Sequence, residues 1–164
     1  MHYDFVRPSI NRVRYSNNEA VYGPNIASYP VKIKLVNSTQ DQINFDNVGS
    51  GITYPQTLYF GLYDYDDQIL VIENINQIII SAIDTQASYV SGFNAQKLNQ
   101  GIAEFDNIAF VAAPGSTNIL YQASSKAIDD DKIQQVFRQP ISDNTININF
   151  RFCRPGEIVT IQNQ

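Results

Sequence analysis

The stretch TININFRFCRPGEI, residues 145 to 158, alternates through its first half with the period of two that a half-buried strand requires. Ile146, Ile148, Phe150 and Phe152 fall on one face, and Thr145, Asn147, Asn149 and Arg151 on the other. The alternation runs into Cys153, the single cysteine of the chain. Two readings of that thiol stand side by side: a small buried residue at a strand end, or a residue that pairs with a cysteine of another copy or of a longer polypeptide.

Working outward, the same period recurs between clusters of Gly, Pro, Asn and Asp, and helical spacing is nearly absent. LYFGLYD at 58–64 sets Leu58, Phe60 and Leu62 against Tyr59 and Tyr63, and the following YDDQ reads as a turn because Asp tolerates the tight backbone. QIIISAI at 77–83 reads as a mostly buried strand. GIAEFDNIAFVAAPGS at 101–116 reads as two short strands pivoting on Asp106 and Asn107 and closed by Pro114 and Gly115, and TNILYQA supplies the next strand. Only AIDDDKIQQVFRQ at 127–139 has the three- and four-residue spacing of a helical turn.

Short strands at this spacing predict an all-β fold, an antiparallel immunoglobulin-like β-sandwich over residues 31–153, with a closed barrel as the alternative. Residues 1–30 are dense in Tyr, Pro and Asn, alternate weakly, and read as an extended N-terminal arm; residues 154–164 read as a C-terminal tail. An arm carrying Phe5, Val13, Tyr15, Val21, Tyr22 and Ile26 would be poorly solvated alone, so these six residues are the expected assembly contacts.

Composition bounds the function. The chain has 164 residues, 43% apolar and 16% charged, with formal net charge −5, which suits one folded domain of a size that needs no disulfide staple. Its pI of about 4.6 and its scattered Lys and Arg lack the electrostatic footprint of a nucleic-acid binder. No apolar run approaches the ~20 residues of a membrane helix, so membrane insertion by this segment is not expected. Asp4, Pro8 and Asn11 interrupt the first residues where a secretory leader needs an unbroken apolar core.

With His2 the only histidine and Cys153 the only thiol, one copy cannot assemble a Ser-His-Asp or Cys-His arrangement or a zinc site. Asp64, Asp66, Asp67, Glu73, Asp84 and Glu104 are available for the paired carboxylates of glycoside chemistry, but no pair stands out. DYDD at 64–67 and DDD at 129–131 hold enough oxygens for calcium yet miss the calcium-loop pattern, and solvated turns explain them more simply. No cofactor, metal site or catalytic residue is therefore expected. Asn37, Ser38 and Thr39 form an N-glycosylation acceptor that matters if the chain is extracellular.

INFRFCRPGEI resembles the FR-x-C-x-x-GE signature that closes a β-sandwich region in giant surface proteins of ciliates and related protists, ahead of ephrin-receptor-like cysteine-rich repeats. GIAEFDNIAFVAAPGSTNILYQAS is similar to the strand pair of the same region. NNEAVYGPNIASYP resembles the segment that leads from the preceding β-helix part into the sandwich. The resemblance covers both ends and the middle of the chain and carries no catalytic motif. It implies a segment of a secreted or surface-anchored polypeptide in which Cys153 opens a cysteine-rich zone. Since nothing follows Gln164, the expectation is a processed segment or a short stand-alone relative.

Three functions are expected in descending order. The first is an extracellular structural protein whose copies form a homopolymeric fibre, through edge pairing or through exchange of residues 1–30 and IVTIQNQ at 158–164. The second is an adhesin-like module that holds a glycan or protein in the loops 44–56 and 88–100. A carboxylate-dependent glycosidase comes last.

Overall fold

The computed structural model describes residues 14, 16–24, 26–36, 38, 43–137 and 144–157. Within them the alternation at 145–150 forms a strand, with Ile146 and Ile148 fully buried and Phe150 4% exposed. In chain order the strands are β1 (Pro30–Leu35), β2 (Ile43–Val48), β3 (Leu58–Asp64), β4 (Gln77–Ala82) and β5 (Ser88–Gly92). They continue as β6 (Ala95–Lys97), β7 (Ile102–Phe105), β8 (Ile108–Ala112) and β9 (Ile119–Ser124), then helix α1 (Asp130–Phe137) and finally β10 (Thr145–Phe150).

One sheet has the order β1-β3-β7 and the other β2-β10-β9-β4-β6, while β5 and β8 pair separately. If β1, β3 and β7 are taken as A, B and E, and β4, β9 and β10 as C, F and G, this is the strand distribution of an immunoglobulin-like sandwich. The expected all-β sandwich is therefore present. Pairing is antiparallel with one exception among the described strands: β2 runs parallel to β10. The connection between them takes up residues 49–144, more than half of the chain and far longer than a parallel crossover needs.

The inward faces meet in one core. Phe60 and Phe105 pack edge to face at 5.6 Å, and Phe110 meets Tyr121 at 5.0 Å. Tyr121 is fully buried on β9, and its hydroxyl donates to the Val111 carbonyl at 2.9 Å, much as in the tyrosine corner of immunoglobulin-like domains. Burial pushes its phenol up to about 12.

Several local readings change. Residues 88–100, expected as a loop, are β5 and β6, and the first half of 44–56 is β2. Gly92 ends β5 at φ +83°, where a Cβ would lie 2.3 Å from the Asn107 carbonyl oxygen. Only glycine lets the chain leave β8 for β4 so abruptly. β7 and β8 do pivot at residues 106 and 107, but into different sheets, β7 on β3 and β8 on β5. The helical turn expected at 127–139 is α1, with Asp130 and Asp131 in the first turn, where carboxylates favour the helix dipole.

Ile148→Ala is expected to lower stability by about 2–5 kcal/mol, because a buried Ile loses both its transfer energy and its packing. Urea denaturation reads this directly, and a loss below about 1 kcal/mol would show that β10 is not a core strand.

Candidate functional site

Two segments flank the sandwich, and each is held to it by a carboxylate. Asp64, the last residue of β3, is fully buried. Its Oδ1 accepts from the amides of Asp66 and Gln68 at 2.8 and 2.9 Å, which shapes the turn, and Asp67 completes that turn at φ +61°. Its Oδ2 accepts from the Tyr22 hydroxyl at 2.6 Å and from Gln68 Nε2 at 3.2 Å. A buried carboxylate needs such donors, and here they fix the polypeptide before β1.

Further bonds extend the anchorage. Gln68 Nε2 also donates to the Ile26 carbonyl at 3.0 Å. Ser28 Oγ donates to Asp66 Oδ2 at 3.3 Å and accepts from the Tyr65 amide at 3.1 Å. Burial first, and then the Asp64 bond, raises the Tyr22 pKa, so the phenol keeps its proton.

Of the expected assembly residues, Tyr22 and Ile26 are thus half-buried against their own sandwich, and Val21 is 85% exposed. Phe5, Val13 and Tyr15 lie outside the described residues, as do Asn37 and the 158–164 segment.

At the other end the signature residues form a clasp. The Arg151 guanidinium makes two 2.7 Å bonds to the Glu157 carboxylate and a third, of 3.1 Å, to the Phe152 carbonyl. Glu157 Oε2 also accepts from the Arg154 amide at 2.8 Å. The bidentate pair closes a loop with Cys153 inside it and exposed, which removes the reading of Cys153 as a buried strand-end residue. Phe152 leaves the alternation too. It is 79% exposed, and a Cβ on Gly115 would lie 2.4 Å from its ring, so the ring lies on that glycine. The Arg151 bond holds the Glu157 carboxyl at about 2.

The carboxylates weighed for glycoside chemistry serve local turns and pairs. Glu73 Oε1 accepts from the amides of Ile75 and Asn76 at 2.7 and 2.9 Å, and Asp84 Oδ1 accepts from Gln86 at 3.0 Å. Glu104 accepts from the Tyr59 hydroxyl, and Asp67 pairs with Lys32 and Lys34. Among the described residues no three His, Cys, Asp or Glu side chains converge as a metal would require.

Sheet edges are blunted. On β1, Asn144 Oδ1 accepts from the Ile33 amide at 2.9 Å, and on β7 Ile102 exchanges bonds with Asn99 at 2.8 and 3.0 Å. β6 has three residues and ends in Lys97, while β2 bears Asp46 and an irregular register, with Asn47 at φ +59°. The signal for these devices was local Asn and Asp, which read simply as turn formers in the sequence.

No protein-family model, no curated protein and no solved structure matches the chain.

Tyr22→Phe removes one donor from buried Asp64 and is expected to cost about 1–3 kcal/mol. It should also speed tryptic cleavage at Arg14, and an unchanged cleavage rate would show that the Asp64 bond does not hold the arm. The clasp has its own pH signature. Because the folded Glu157 carboxyl titrates near 2 and an unfolded Glu near roughly 4.3, the clasp is intact above the higher value and is lost as pH falls toward the lower. Hydrogen exchange at the Arg154 amide should lose protection over that window, and Glu157→Gln should abolish the transition.

Proposed function

We propose that this chain is a non-catalytic extracellular structural subunit whose copies polymerise into a surface fibre or filament by exchanging an extended segment. The observation that supports this most is the manner in which residues 16–24 and 26–29 are attached. None of them belongs to a sheet, the packing of Tyr22 on the core and a few polar bonds to the Asp64–Gln68 turn hold them, and Val21 and Tyr29 remain 85% and 65% exposed.

A segment fixed by a few directional bonds can make the same bonds to the equivalent turn of a neighbouring copy. Exchange then conserves each bond, and a head-to-tail contact that does not close repeats into a filament. The blunted edges of β1, β2, β6 and β7 favour this route over direct edge pairing. The likeness of the Phe150–Glu157 signature to protist surface proteins supports an extracellular setting and an N-linked glycan on Asn37.

Electron microscopy of the purified chain is the test. The full chain should form filaments and a variant lacking residues 1–28 should give folded monomers, with β-sheet circular dichroism retained. Filaments of unchanged length after that deletion would refute exchange, and separate globules from the full chain at high concentration would refute polymerisation.

A further inference from the structure

The outward positions of β3 are Tyr59, Gly61 and Tyr63. A side-chain carbon at residue 61 would lie 2.7 Å from Cε2, 3.2 Å from Cζ and 3.3 Å from the hydroxyl of Tyr63. Tyr63 therefore reclines along its own strand, over Gly61, instead of standing away from the sheet. Glycine weakens a strand interior, and it occurs where another group must come close to the backbone. Tyr63 is half-buried there, and Tyr59, 44% exposed, follows at the next outward position, about 7 Å along the strand from Gly61.

Polar groups border the rings on both sides. Toward β1, the ammonium groups of Lys32 and Lys34 converge on Asp67 Oδ1 at 2.6 and 2.8 Å, with Lys34 opposite Gly61. Those two bonds lower the Asp67 pKa and keep it ionised. Toward β7, Glu104 lies opposite Tyr59 and accepts from its hydroxyl at 3.2 Å.

This chemistry selects the occupant. Lys32 and Lys34 stand with three carboxylates, Asp67, Glu104 and Asp106, the last of which also acts on Tyr59, so no excess positive charge draws a phosphate, sulfate or uronate polymer. A pyranose offers an apolar C–H face to an aromatic ring, and a rim of hydroxyls that both donate and accept. Asp67 and Glu104 are the acceptors for that rim, and Lys32, Lys34 and the tyrosine hydroxyls are the donors. We propose that the outer face of the β1-β3-β7 sheet binds a neutral oligosaccharide running along β3, with successive sugars over Tyr63 and Tyr59. This holds whether or not the chain polymerises.

Isothermal titration of the full chain with neutral hexasaccharides of β-1,4-linked glucose, mannose and xylose and of β-1,3-linked glucose tests the platform. At least one should bind, at least tenfold more weakly to Tyr59→Ala and to Gly61→Val, which displaces Tyr63. Leu120→Ala, on the outer face of the opposite sheet, should bind like the unaltered chain. Tyr59 is exposed, so its variant should fold, and a thermal melt confirms it. Absence of binding to all four sugars, unchanged affinity in Tyr59→Ala, or binding only to a uronate hexasaccharide would overturn the proposal. Self-association in sedimentation that Tyr59→Ala abolishes would assign the face to a second copy and overturn it equally.

Discussion

The seat of β10 between β2 and β9 is the constraint on which the remaining structure rests. Its inward residues Ile146, Ile148 and Phe150 fill the middle of the larger sheet, and its pairings join the start of the sandwich to its end. Asn144, just before it, ties the two sheets together: its carbonyl accepts from Ala123 on β9 and its side chain accepts from Ile33 on β1. Loss of this strand would expose Tyr121 and the aromatic cluster and would leave the edge of β9 unpaired. Such long-range pairing must recover a large loop-closure entropy before it stabilises anything, so the apolar face of β10 has to be nearly complete.

Given that closed sandwich, what distinguishes the chain is the treatment of its flanks. Asp64 and Glu157 are both carboxylates that collect donors, yet they differ in setting. Asp64 has no access to water and organises a turn, an arm and the end of a strand at once. Glu157 stands at the surface and closes a single loop on Arg151. The first couples the arm to core packing, and the second closes the loop that sets Phe152 on Gly115 and leaves Cys153 exposed. Arm and clasp therefore respond to different perturbations, the former to loss of a buried bond and the latter to acid.

Much of the architecture was legible in the sequence because period-two alternation is a local property. The strands at 58–64, 77–82, 119–124 and 145–150 follow directly from it, and so does the two-layer packing they require. β5 and β6 were hidden because SYVSGFNAQKLNQ is mostly polar: one face of each strand meets solvent, and Gly92 breaks the period where the chain changes partner. Of the candidate site residues, Cys153 and Tyr22 stood out by rarity and by setting in an apolar arm. Asp64 and Gly61 did not, since an Asp beside a turn and a Gly in a strand are each read most simply as local punctuation.

The sequence by itself determined the fold class and the core face of each long strand, because these depend on residue type and spacing along one chain. Tertiary structure alone decided which strand runs parallel, that Asp64 is buried under Tyr22, that Arg151 meets Glu157, and that Tyr63 lies over Gly61 beside two lysines of β1. Hydrogen bonds and charges act over a few ångströms between residues that can be tens of positions apart. Their meaning is fixed only once the backbone has brought them together.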